Sequence, residues 1–411
     1  METFDEALRR LRSERGLSLE ALGKRAHIAR GYVHQLEHGT RRPSEQTANL
    51  LDKALDADGL LVTAAARAGD MTNAPPLGEL WLPGDAEGLA AALLAERPNA
   101  DNATQLAHQW LITEPPQSLA LTAGRRIGTS VVEDVVKRIH QIRLIDDYAG
   151  GRDTYATARF ELEATARLLR EASYSDEVGR RLLSAVAELA QIVGWIASDA
   201  GRHGEAKRLY LAGVRAGHAA ADAPGAASNL SSLAYQEANV GDPAEAVILA
   251  RSAVKGADGA TATSRALLLE RLAWAQARAG NADGAGRVLD LVDDAFDQRD
   301  PAADPIWVYW LNRDEIDVMA GRVWTQLRRP LRAVPLLDRA IAAYPADAAR
   351  EVALYRTWLA EALLQGGEIE RAEAELGRAV DLSGAAGSDR SDTRVAEVQR
   401  QVDAAKSGRT C

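Results

Sequence analysis

Leu19-Glu20-Ala21-Leu22-Gly23-Lys24-Arg25-Ala26, then His27-Ile28, then Ala29-Arg30-Gly31-Tyr32-Val33-His34-Gln35-Leu36-Glu37-His38-Gly39-Thr40-Arg41-Arg42-Pro43-Ser44 carries apolar residues at helical spacing. Leu19, Leu22 and Ala26 form one stripe, and Ser18 stands ahead of them as an N-cap. Ala26 to Ala29 reads as a tight turn. A third helix follows, with Val33 and Leu36 inward and Gly39 as its stop. Arg30, Gly31, Tyr32, His34, Gln35 and His38 then point away from the apolar side. A guanidinium pairs bidentately with guanine and a carboxamide with adenine, so this outward set suits base edges in a major groove.

Upstream, Phe4, Leu8 and Leu11 make a further stripe, and residues 4 to 61 read as five short helices. The chain of 411 residues has a net charge of −10, which by itself argues against a polyanionic partner. Charge by segment reads differently. Residues 1 to 69 hold eleven Lys or Arg against ten Asp or Glu, so the head is +1 and the rest is −11. Within 24 to 42, Lys24, Arg25, Arg30, Arg41 and Arg42 face only Glu37, a compact basic face.

On these residues the segment resembles the xenobiotic-response-element, or lambda-repressor-like, family of helix-turn-helix heads. The family's Leu-Glu-x-Gly-x-x-x-Pro ending stands here as Leu36, Glu37, Gly39 and Pro43. The resemblance implies that Arg30, Tyr32, His34 and Gln35 read bases and that Ser18, Arg41, Arg42 and Ser44 contact phosphate. Two departures stand out: His27 replaces the usual Gly of the turn, and Ala29 replaces a Ser or Thr cap, a loss of about 1 kcal/mol. His34 and His38, spaced i and i+4, lack a further ligand at suitable spacing, so no metal is expected.

Beyond the head, Asp70 to Gly78 contains Pro75-Pro76 and reads as a linker. Residues 86 to 96, 101 to 112 and 129 to 148 read as helices of a spacer, broken at Pro115-Pro116. After Gly150-Gly151 the composition is helix-forming throughout, strands look absent, and short hairpins are suggested at 159 to 171 and 176 to 189. From about residue 187 a repeat emerges. Ala206, Ala246, Ala285, Ala333 and Ala372 recur at separations of 40, 39, 48 and 39, and twelve positions before each stands Gly194, Ala234, Ala273, Gly321 or Ala360. Turns fall at Gly201, Gly241, Gly280 and Gly367, with Arg328 the exception. Antiparallel helices approach closely only where side chains are small, so the spacing describes stacked helical hairpins.

These hairpins resemble the tetratricopeptide repeat, with Tyr210, Leu289, Leu337 and Leu376 at its large apolar site and Ala250 departing from it. The residue after the first small position is Trp195, Tyr235 and Trp274 in the first three units, with Asp199, Asn239 and Arg278 one turn on. These six are candidates for a ligand groove; an aromatic stripe at repeat spacing equally serves packing between adjacent hairpins. Trp307, Tyr309 and Trp310 read as core or as a dimer contact.

No Gly-x-Gly-x-x-Gly after a strand, phosphate loop, His-Glu-x-x-His pair or nucleophile elbow occurs, and Asp146-Asp147 reads as a solvated helix end, so no enzyme and no cofactor are expected. The single cysteine, Cys411, excludes an intramolecular disulfide, and neither a signal peptide nor a membrane span is read. The expected fold is all-α: a five-helix helix-turn-helix head at 1–69, a linker and helical spacer at 70–150, and a right-handed hairpin solenoid at 151–405. Regulators of similar architecture sense short peptides. The resemblance therefore implies a regulator that binds a double-stranded DNA operator, controlled by a peptide, small molecule or protein in the repeats; the lone cysteine and the absence of a signal peptide fit the cytoplasm, and the few contacts one small head can make imply a homodimer. The alternative is an interaction adaptor or oligomerisation scaffold with no small ligand.

Overall fold

The computed structural model describes residues 4–38, 43, 45–57, 59–70, 83–95, 102–149, 151–345, 349–386 and 389–409. They form an all-α protein of two compact units, Met1–Pro75 and Pro76–Cys411. The linker at 71–78, the stop at Gly39 and Cys411 lie outside the described residues.

In the first unit five helices follow one another: α1 (Phe4–Glu14), α2 (Leu19–Ala26), α3 (Arg30–Glu37), α4 (Glu45–Ala54) and α5 (Leu60–Asp70). Leu8, Leu22, Val33, Leu36, Leu51, Leu55 and Leu61 fill their common core. The helices are too short to persist alone, so this shared apolar interior holds them. Asp52, near the end of α4, accepts hydrogen bonds from the backbone N–H groups of Gly59 at 2.9 Å and Leu61 at 2.8 Å, capping α5 from a neighbouring element.

The second unit begins with α6 (Pro83–Leu94), α7 (Ala103–Ile112), α8 (Thr129–Ala149) and α9 (Gly151–Glu171). This segment is part of the hairpin body's core, and the spacer reading understated it. Leu89 and Leu93 are buried with Leu182, Val186 and Leu209, while Trp110 lies against Gly256. Arg208, itself buried, donates to the carbonyls of Ala92 at 2.5 Å and Leu93 at 2.8 Å, closing the C-terminal end of α6. A small sheet is also present where none was expected: β1 (Arg125–Arg126) pairs in parallel with β2 (Ala172–Ser173), beside a bridge from Leu121 to Tyr174. It gives backbone partners to two connections that the helices leave unpaired.

Five helical hairpins follow. They are α10 (Asp176–Asp199) with α11 (His203–Ala219), α12 (Ala223–Val240) with α13 (Pro243–Gly256), α14 (Ala262–Arg278) with α15 (Ala282–Asp297), α16 (Arg313–Gln326) with α17 (Pro330–Ala343), and α18 (Ala349–Gln365) with α19 (Ile369–Ala386). The helix α20 (Asp389–Arg409) covers α18 and α19. Each first helix packs on the next first helix, which makes the body solenoid-like.

All ten small residues of the spacing rule are buried, one on each helix from α10 to α19. A Cβ at Gly194 would stand 2.8 Å from the Tyr210 ring and one at Gly321 2.6 Å from Leu337, so the large apolar site of the second helix occupies the space left by the small site of the first. Gly201, Gly280 and Gly367 take positive φ in their turns, and Arg328 takes the same left-handed conformation at φ 55. Gly241 is different, with φ −118. Residues 176–189 are the first half of α10, since nothing between Asp176 and Asp199 breaks the helix. This helix is long and apolar enough to cross a membrane, and 67% of its apolar window is buried inside the unit.

Candidate DNA interface and ligand cavity

In the head, Ser18 Oγ accepts from the Ala21 N–H at 3.1 Å, so this residue, read as a phosphate contact, caps α2. His27 ends that helix in the left-handed conformation at φ 55, the backbone state that explains why a Gly is usual at this point. Its turn presses on α2, because a Cβ at Gly23 would lie 2.6 Å from the Ile28 carbonyl. Ala29 begins α3 with no side-chain cap. Ala29→Ser is therefore expected to stabilise the head by about 1 kcal/mol. Slower amide exchange across α3 in the full chain would register the gain; unchanged exchange would refute it.

Helix α3 turns Val33 and Leu36 into the core and leaves Arg30, Gly31, His34, Gln35 and His38 exposed. Tyr32 is half-buried against the head's core, so only part of its ring is presented. His34 and His38 stack with ring centroids 4.1 Å apart, and His38 Nδ1 donates to the His34 carbonyl at 2.8 Å. Arg41, Arg42 and Ser44 lie outside the described residues.

Sequence reasoning missed what fixes the angle of α3. The Glu37 side chain is 3% exposed and takes a bidentate hydrogen bond from Arg12, Nε to Oε1 at 2.6 Å and Nη2 to Oε2 at 3.0 Å. Arg12 also donates to the Leu17 carbonyl at 2.8 Å, and Arg9 donates to the Glu37 carbonyl. One guanidinium thus ties α1, the loop before α2 and the end of α3 together. The signal available beforehand was Glu37 itself, an acid inside a basic segment.

In the second unit a cavity of about 320 Å³ opens among the first helices of the hairpins. Trp195, Asp199 and Tyr235, three of the six groove candidates, line it. The other three form an adjoining contact layer: Trp274 Nε1 donates to Asn239 Oδ1 at 3.1 Å, and Arg278 Nε donates to the Ala238 carbonyl at 2.9 Å. The stripe therefore divides between lining and packing.

Trp307, Tyr309 and Trp310, expected in the core or at a dimer contact, all stand on the cavity wall, while Trp307 and Trp310 also pack, partly buried, against the core around Phe296 and Leu311. They belong to residues 298–312 between α15 and α16, which accounts for the separation of 48 between Ala285 and Ala333 where neighbouring units show 39 or 40. Irregular spacing filled with aromatics was the available signal. Asp146, on α8, is half-buried on the same wall rather than a solvated helix end; the side chain of Asp147 lies outside the described residues.

Two arginines complete the lining and were not anticipated. Arg271 lies 4.1 Å above the Tyr235 ring and 5.0 Å from that of Trp195. Arg322 lies 3.9 Å from the Trp274 ring, 4.6 Å from Trp358 and 5.0 Å from Tyr235. Arg322 occupies in the fourth unit the position held by Trp195, Tyr235 and Trp274 in the first three, so extending the register by one repeat reaches it. Tyr355 and Trp358 stack at 5.8 Å on the far wall. Tyr355 donates to Glu315 at 2.5 Å, and Tyr344 donates to the same oxygen. Burial raises Glu315 above the usual carboxylate range, while the two hydroxyls act the other way.

No curated protein matches the chain. Residues 6–65 match the family model described as a helix-turn-helix domain, so the five-helix head is of that kind and the chain that carries it is a DNA-binding regulator.

Proposed function

We propose that the protein is a sequence-specific transcriptional regulator working as a homodimer in the cytoplasm, with two heads on the half-sites of an inverted repeat. In this reading promoter occupancy is set by a ligand, a peptide or a small molecule, held in the hairpin body. DNA binding is assigned to residues 1–69 and sensing to 151–405, with the helices before residue 151 packed into the same body and Arg143 and Asp146 on the cavity lining. The observation that carries the first half is the split of α3 between buried Val33 and Leu36 and exposed Arg30, His34 and Gln35. A helix held by one side and presenting donors on the other is what major-groove readout requires. Dimerisation follows from economy of contact, since one small head makes few base contacts and a two-fold pair doubles them.

The likeness of the hairpins to tetratricopeptide repeats supports the sensing role, as does the cavity, which lies on their first helices and carries polar groups on an aromatic lining. Selection of the full chain on a random duplex library tests the reading. Arg30→Ala and Gln35→Ala are expected to relax preference at single base pairs by about 1–3 kcal/mol each. Arg41→Ala is expected to weaken all duplexes alike and to lower the salt slope by about one. Equal affinities and footprints for wild type and all three variants would refute the assignment. Retention of no duplex even at low salt would favour the adaptor.

A further inference from the structure

Resting on the reading of the chain as a homodimer, we propose that two copies meet at the cleft between α15 and the connection from α16 to α17, each placing its arginines against the other's aspartates. The cleft is a surface concavity of about 740 Å³. Arg328, Arg329 and Arg332 line one side and Asp283, Arg287 and Asp290 of α15 the other, all of them exposed. Asp283 and Arg287 stand four residues apart and Arg287 and Asp290 three, spacings at which pairs on a helix close. None of the six forms an ion pair among the described residues; Arg332 lies 4.5 Å from the ring of the partly buried Trp324.

Backbone strain marks the same place. Gly201, Gly280 and Gly367 take positive φ at the corresponding turns without strain, whereas Arg328 holds φ 55 with a side chain attached, which points to the guanidinium as what is gained there. Helix α17 begins at Pro330, and its N-cap Arg329 makes no side-chain cap bond, so its positive end favours a carboxylate. Apolar surface lies among the charges: Leu331 is 91% exposed on the cleft, and Leu291, next to Asp290, is 51% exposed. Leucines ringed by charge are the composition of a protein contact. The mixture of signs selects the occupant. A polyanion would use the arginines but meet the two aspartates and a chain that carries −11 beyond residue 69. A second copy uses both signs, because a two-fold axis at the cleft brings the α17 side of one subunit onto the α15 side of the other, twice over.

Sedimentation velocity of the full chain without DNA tests the contact. Wild type is expected to be dimeric at micromolar concentration. Arg328→Glu with Arg329→Glu, and separately Asp283→Lys with Asp290→Lys, are each expected to weaken the dimer about a hundredfold or more, since like charges then face one another. Mixed one to one, the two reversed proteins are expected to recover the dimer, because both sets of opposite pairs return. Arg328→Gly, which relieves the left-handed residue, is expected to melt no lower than wild type and still to weaken the dimer about threefold or more, so a folding defect does not account for the loss. Reversed proteins that stay dimeric, or that fail to recombine when mixed, overturn the face and leave the homodimer reading standing. Variants that stay dimeric but lose affinity for duplex DNA overturn it too, and assign the arginines to phosphate. A wild type that is monomeric at every concentration overturns the face and the homodimer reading together.

Discussion

Arg12→Met is expected to destabilise the head by about 3–5 kcal/mol, the cost of stranding a buried carboxylate without its partner. The Glu37 side chain is 3% exposed, and Arg12 supplies both of its side-chain hydrogen bonds described above. Methionine keeps most of the apolar stem, so the loss measures the charge pair rather than a cavity. Amide exchange in α1 to α3 of the full chain should quicken by about a thousandfold at 4 kcal/mol, with specific duplex binding lost alongside. The double variant Arg12→Met, Glu37→Met should recover most of the stability, since removing both charges leaves none buried alone. Recovery of stability without operator preference would mean that the pair sets the angle of α3 rather than the cohesion of the head. A single variant that exchanges like wild type would refute the account.

Glu270→Gln is expected to have the second large effect, and it depends on pH. Glu270 lies on α14 at 2% exposure with Oε1 lacking a hydrogen-bond partner among the described residues, and burial pushes its pKa up to about 8. Nearby Arg271, Arg322 and Arg313 pull it down, Asp293 pushes it up, and desolvation outweighs them all. Between the ordinary carboxylate range and pH 8 the folded chain keeps a proton that the unfolded chain has released. Stability is therefore full below the unfolded value, falls as pH rises through that window, and stays low above it. At about 1.4 kcal/mol per pH unit, the wild type should lose several kcal/mol across it. Glutamine mimics the protonated acid and cannot ionise. Glu270→Gln should accordingly melt higher than wild type at pH 8 and nearly level with it at pH 4.5. Parallel melting curves at all pH values would show that the carboxyl is ionised in the fold at neutral pH.

Periodicity and small-residue spacing carried the sequence reading a long way. The split of Val33 and Leu36 from Arg30, His34 and Gln35 follows from 3.6 residues per turn acting within eight residues. The pairing of Gly194 with Tyr210 and of Gly321 with Leu337 joins residues sixteen apart across a single hairpin. Such signals are local, and the register they set is the one observed. The left-handed states of His27 and Arg328 show the same locality, since the turn imposes the conformation even where glycine is missing.

Contacts between distant segments left no such mark. Arg12 and Glu37 are 25 residues apart with the whole of α2 and two connections between them; Glu37 stands out as an acid in a basic segment, but nothing beside it points to Arg12 as its partner. Residues 83–112 looked like a spacer because their apolar positions have no partner nearby; their partners are α9, α11 and α13, more than fifty residues on.

From the sequence alone came the helical class, the exposed set of α3 and the register of the five hairpins, because each depends on side chains within one or two helical turns or across one tight connection. Tertiary structure alone decided which aromatics enclose space and which merely pack. It gathered Trp195, Arg271, Arg322 and Trp358 from four separate hairpins around one cavity, and brought Trp307, Tyr309 and Trp310 of the added residues 298–312 onto the same lining. The reason is that enclosure belongs to surfaces meeting across the stack, and no period along the chain encodes where one repeat's face will meet another's.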